Sequence, residues 1–150
     1  MTTARTTGTA APVGLTIDRH EIDAAVEKLV RYFETGVAPA GLFAPDVFLD
    51  LVLPLWREQS ADAEGLLALR SQYHPYSGTV RIGHVEPTEH GFALEFEEEW
   101  QQAGRRLSAF EILRAELAGG AITEMSVYCT GDWDDERRRR YAETVRPVRA

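Results

Sequence analysis

At Gly78 the hydrophobic pattern of this chain changes period, and that change constrains the fold more than any other feature. Before it, apolar residues recur at helical spacing; after it, they alternate. The alternating half predicts strands at Thr79–Glu86, Gly91–Gln102, Arg105–Leu117 and Ile122–Thr130. Pro87 with Gly91, Ala103-Gly104 and Gly119-Gly120 supply the turns between them. Successive hairpins imply an antiparallel sheet. Two helices ahead of a strongly curved sheet predict an α+β domain with the helices packed over one face.

The first helix opens at Asp18, where Glu21 three residues on completes a capping-box pattern. Ile22, Val26, Leu29, Val30 and Phe33 form its apolar stripe, with Tyr32 beside it and Gly36 as the C-cap. Leu42 to Pro45 reads as a short turn or helical piece leading into a strand from about Val47 to Leu53. A second helix is expected over Ala61 to Tyr73, with Leu66, Leu67 and Leu69 inside and His74-Pro75 as its stop. Asp134-Asp135-Glu136 followed by Arg137 to Arg140 predicts a short C-terminal helix, solvated and ion-paired. The domain boundaries that follow are a disordered leader over 1–16, one domain over 17–133, and a C-terminal helix and tail over 134–150.

Several function classes are disfavoured by composition. A net charge of -8 argues against nucleic acid or an anionic membrane as the main partner. No apolar run approaches the roughly 20 residues that span a bilayer. Cys129 is the only cysteine, so no intrachain disulfide can form, and it reads as a small buried hydrophobe. The four histidines show no metal-ligand spacing, and neither a metal nor an organic cofactor is expected. The location expected from these features is cytoplasmic.

The candidates for chemistry are polar residues on apolar faces. Asp50 stands in Phe48-Leu49-Asp50-Leu51-Val52-Leu53-Pro54 with no other polar group around it. Such a carboxylate either reaches solvent, caps a turn, or is buried with a raised pKa suited to acid/base work. Glu111 shares its strand face with Leu107, Ala109, Leu113 and Ala115; a cross-strand ion pair is its alternative. Glu98 lies on one face with Phe92, Leu94, Phe96 and Trp100, while Glu95, Glu97 and Glu99 form an ordinary solvated or subunit-facing stripe. Parity leaves Tyr128 undecided between pocket and outer face. Phe48, Val52, Trp56, Phe96 and Trp100 are further candidates to line a pocket, with Tyr73, His74 and His84 at its rim or wall.

Particular stretches resemble the nuclear transport factor 2-like superfamily, which includes ketosteroid isomerases, polyketide cyclases of the SnoaL type, limonene epoxide hydrolase and scytalone dehydratase. They are Arg31-Tyr32-Phe33-Glu34, Leu42 to Asp50, Ala109 to Arg114 and Ile122 to Tyr128, within about residues 18–132. The resemblance implies a cone-shaped pocket under the helices and a homodimer through the sheet's outer face. It also implies roles: Asp50 as base, with Tyr32 and a protonated Glu111 stabilising an enolate. Leu51 stands where the isomerases have a proline, and the loop before the last strand is one residue longer, so a steroid substrate is not implied. The expected function is a cofactor-independent cyclase, isomerase or dehydratase of bacterial secondary metabolism, acting next to a carbonyl on a hydrophobic small molecule. The alternatives are a non-catalytic ligand-binding protein, a protein-interaction module of the same fold, or water addition to an epoxide.

Overall fold

The computed structural model describes residues 17–149; the expected leader, 1–16, lies outside them. Helix α1 (Arg19–Thr35) starts and stops where its caps dictate. The Asp18 and Glu21 side chains form the reciprocal capping box, and Gly36 closes the helix at φ 74°, a conformation that costs glycine nothing. Ile22, Leu29, Tyr32 and Phe33 are buried beneath it. Helix α2 (Ala63–Tyr73) begins two residues later than its apolar pattern suggested, because the Asp62 carboxylate accepts from Gly65 N at 2.7 Å and so sets the N-cap.

The sheet is mixed rather than wholly antiparallel. Strands β3 (Gly78–Pro87), β4 (Gly91–Gln102), β5 (Arg105–Ala118) and β6 (Ala121–Cys129) form the expected run of hairpins. Strand β1 (Phe43–Leu53) lies parallel to β6, which the long intervening path through α2 and three hairpins permits. Pairing already begins at Phe43, so the turn expected over Leu42 to Pro45 is strand from that residue on. Strand β2 (Trp56–Ser60) was not anticipated. Its polar sequence, Trp56-Arg57-Glu58-Gln59-Ser60, carries no alternation, as suits an edge strand that must resist further pairing. The order is β2-β1-β6-β5-β4-β3, with the short β7 (Trp133–Asp134) on β5.

Helices α1 and α2 cover the inner face, where Phe92, Leu94, Leu113 and Ile122 are inaccessible and Phe33 stacks on Phe96 at 5.1 Å. The C-terminal helix α3 (Asp135–Thr144) packs against the outer face. Arg138 reaches from it to Glu97 and to the inaccessible Ser108. Glu97, expected as part of a solvated stripe, is thus largely covered between Arg81 and Arg138. No helix among the described residues is long and apolar enough to cross a membrane.

Candidate active site

Between α2 and the ends of β1, β5 and β6 the inner face leaves a cavity of about 100 Å³, several times the space a single ordered water requires. Leu49, Leu51 and Leu53 of β1, with Met125 and Val127 of β6, make its apolar wall. Ala109, directly opposite Glu98 across the β4–β5 pair, is the small floor residue that leaves the space open. Into this wall project Tyr32, Arg70, His74, Glu111 and, from the loop after β6, Asp132. That loop passes so close to the β1–β2 turn that a Cβ on Gly131 would lie 2.9 Å from Pro54 Cγ, and its φ of 84° equally requires glycine.

The polar groups form one buried network. Arg70 sits one helical turn beyond Leu66 on the buried face of α2 and donates to both Glu98 oxygens, each at 2.8 Å. It also donates to Phe33 O at 3.0 Å, tying α2 to the end of α1. His74 Nε2 stands 3.4 Å from the same Glu98 carboxylate, and its ring meets the Trp100 ring edge-on at 4.4 Å. Burial, reinforced by Arg70, lowers the His74 pKa to about 4, so the imidazole is neutral at pH 7. Glu111 is the most perturbed acid of the cavity. Burial, followed by the Glu98 charge, raises its pKa to about 8 against the pull of Arg70 and a bond with the Cys129 thiol. Burial lifts the Tyr32 hydroxyl to about 12, so it acts as a proton donor in hydrogen bonds and not as a base. Burial also raises Asp132, which remains at the mouth.

No protein-family model and no curated protein sequence matches the chain. Solved structures do. An NTF-2-like protein of unknown function from Burkholderia xenovorans LB400 superposes with a TM-score of 0.57 at 17% identity, over 87% of this chain and 97% of that one. The chain has the nuclear transport factor 2-like fold. An M. tuberculosis epoxide hydrolase of the LEH-like type shares this fold at TM-score 0.58 and 13% identity, over 73% of this chain and 83% of that one. IdmH from Streptomyces antibioticus, a candidate polyketide cyclase, shares it at 0.55 and 17%, over 73% and 92%.

Within this NTF2-like cone Tyr32, Tyr73, His74, Trp100 and Glu111 line the cavity, and Glu98 stands behind Arg70 and His74 as their anchor. Phe96 is core, stacked on Phe33. Asp50 is elsewhere. The β1 register sends Leu49, Leu51 and Leu53 inward, so Phe48, Asp50 and Val52 take the opposite face, beside Glu124, Ser126 and Tyr128 of β6. There Arg57 of β2 lies over the carboxylate with two bonds, 2.8 and 2.6 Å, which holds the Asp50 pKa below the usual carboxylate range. Its low accessibility comes from that guanidinium and not from an apolar pocket. An Asp flanked by apolar residues points inward only if the other parity is polar, and here the other parity is three leucines.

Trp56 is also outside the cavity, exposed and bonded to Glu58. His84 pairs with Glu86 on the surface, where the Gly83 irregularity shifts the β3 register, and Tyr128 faces outward. The residues missed were Arg70, Asp132 and Cys129 as wall members. For Arg70 a signal existed: it follows the buried Leu66 by four residues. Cys129 lines the wall with a thiol that burial, helped by the Glu111 charge, pushes up to about 12, so it stays protonated and unreactive. Among the described residues, no group of three His, Cys, Asp or Glu side chains is arranged to hold a metal ion.

Proposed function

We propose that this protein is a small-molecule enzyme that enolises a carbonyl compound in the cavity, as an isomerase or cyclase does. The observation that carries the reading is Glu111, a carboxylic acid in a leucine-walled cavity with a pKa of about 8. At pH 7 it is mostly protonated and can donate to a carbonyl oxygen, with Tyr32 as a second donor. Asp50 faces away, so the base in this reading is Asp132, the other carboxylate on the wall. Asp132 takes the proton from the α-carbon, the C–H pair becomes the C=C bond, and the carbonyl π pair moves to the oxygen that Glu111 and Tyr32 hold. Return of the proton to another carbon, or attack of the enolate on a second carbonyl, completes an isomerisation or a cyclisation. The candidate assignment of IdmH as a polyketide cyclase supports placing the reaction in bacterial secondary metabolism, with the cytoplasm as its location.

Exchange of α-protons into D2O tests this without knowledge of the natural substrate. Over a panel of cyclic ketones followed by NMR, the wild type is expected to accelerate exchange. Asp132→Asn and Glu111→Ala should each lose about 10²-fold or more, whereas Asp50→Asn should retain the wild-type rate. Acceleration should also decline as pH rises through about 8, where Glu111 gives up its proton. No acceleration with any ketone, or a loss in Asp50→Asn equal to that in Asp132→Asn, would overturn the assignment.

The outer sheet face supports a homodimer. Phe110, Ile112 and Tyr128, the last two paired across β5 and β6, expose apolar surface there, Ile112 by 51%, and contiguous apolar surface of this kind marks an interaction site. Light scattering is expected to give twice the chain mass for the wild type and the single chain mass for Ile112→Lys. A wild-type monomer would refute the dimer.

A further inference from the structure

Asp132 owes its place on the cavity wall to an extra residue in the chain that follows β6. As far as Thr130 that chain keeps a regular register on β5. Cys129 is opposite Glu111, and Thr130 N–H donates to Phe110 O at 3.1 Å. The next pairing is Trp133 with Ser108. Between the two pairings β5 has only Ala109, while the opposite chain carries both Gly131 and Asp132, which makes a one-residue β-bulge. Its start is visible in the ladder, where Phe110 N–H turns to the Thr130 hydroxyl at 3.2 Å. Gly131, at φ 84°, is its left-handed residue.

The bulge decides which way Asp132 faces. Residues directly opposite one another share a face, so Cys129 goes inward with Glu111 and Thr130 outward with Phe110. Strict alternation from there would send Asp132 outward and Trp133 into the interior. The extra residue reverses that parity. Trp133 goes outward with Ser108, to which α3 brings Arg138, and Asp132 is left on the cavity wall.

With two residues, β7 is too short to hold this register by pairing alone. The hold comes from the outer face of the sheet. The Trp133 ring meets Phe110 edge-on at 5.9 Å and Tyr141 of α3 at 5.7 Å, with the Arg137 guanidinium 5.9 Å over it. Beside it the Asp134 carboxylate accepts from Arg137 N at 2.8 Å, capping α3, and from Arg105 at 2.6 Å. We infer that Trp133 is a positioning residue: gripped on the outer face by Phe110, Tyr141 and Arg137, it fixes the register of the bulge that turns Asp132 into the cavity. Its catalytic meaning rests on Asp132 as the base of the proposed enolisation; the geometry does not. The helix on one face of the sheet thus sets the site on the other.

Three full-chain variants, Trp133→Ala, Trp133→Phe and Tyr141→Ala, test this with two readouts. The first needs no substrate: NMR titration of the Asp132 carboxyl carbon, assigned with Asp132→Asn. In the wild type, burial should hold that carboxyl above the ordinary value of about 4. Trp133→Ala and Tyr141→Ala should return it to about 4, and Trp133→Phe should keep the wild-type value. A variant that is merely less stable still titrates as the wild type does while folded, so a structural role alone leaves this readout unmoved. The second readout is α-proton exchange of cyclic ketones into D2O, cyclohexanone first. There kcat should fall about 10- to 100-fold in Trp133→Ala at an unchanged KM. Asp132 titrating as in the wild type in the alanine variants, or at the ordinary value in the wild type itself, would refute the positioning role. If Trp133→Ala does not fold, the titration of Tyr141→Ala decides. If the titration moves as expected but no ketone exchanges faster with the wild type, the positioning role stands and the enolisation reading falls.

Discussion

Replacing Arg70 by methionine is expected to destabilise the protein by about 3–5 kcal/mol, because it strands the Glu98 carboxylate in the core without its counter-charge. Glu98 is 3% exposed and Arg70 supplies both of its strong hydrogen bonds. The substitution also removes the donor to Phe33 O, which joins the ends of the two inner helices. Urea denaturation monitored by circular dichroism measures the loss. The double variant Arg70→Met with Glu98→Leu should recover most of it, since the desolvation cost of both charges disappears together. If the single variant proves as stable as the double, the pair is not carrying the inner face.

The second large effect concerns Glu111 and pH. Its folded-state pKa, about 8, lies above the usual carboxylic value near 4.5 that the unfolded chain would show. Between those two values the native state binds more protons than the unfolded state, so stability declines as pH rises through that window. The decline should amount to roughly 2–5 kcal/mol and be complete slightly above pH 8. Glu111→Gln keeps the shape and a donor but cannot ionise. It should unfold at nearly the wild-type temperature at pH 5 and at a clearly higher one at pH 9. Parallel melting curves for the two proteins across that range would show that Glu111 ionises as a solvated carboxylate does. In the proposed reaction the same group is the proton donor, so the burial that tunes it for that role also costs the fold stability.

The opposite behaviour of two carboxylates with similar sequence surroundings explains how far this chain could be read directly. Asp50 and Glu111 both have apolar residues at i±2, and both were candidates for the interior. For β5 the alternation offered more, because Arg106, Ser108 and Arg114 make the alternate face partly polar, although Phe110 and Ile112 share it and a cross-strand ion pair stayed open for Glu111. Within the strand expected from sequence, Val47 to Leu53, both parities are apolar apart from Asp50 itself, so alternation there contains no instruction about direction. Asp46, which shares the Asp50 parity and is exposed, lies ahead of that expected strand, next to the turn expected over Leu42 to Pro45. The register against β6 made the choice, placing leucines inward and Asp50 against Arg57, a residue on a strand that its own sequence does not announce.

The sequence by itself determined the α+β class, the caps of α1, the hairpin run from β3 to β6, and which residues of β4 and β5 share a face with Glu98 and Glu111. Those features are encoded locally, in caps, turns and strict alternation. Only the tertiary structure decided that β1 lies parallel to β6, that Arg70 neutralises Glu98, and that Asp132 rather than Asp50 shares a wall with Glu111. Each of these joins segments at least 21 residues apart, as in the Glu111–Asp132 pair, and depends on strand register and desolvation, which exist only once the chain has closed on itself.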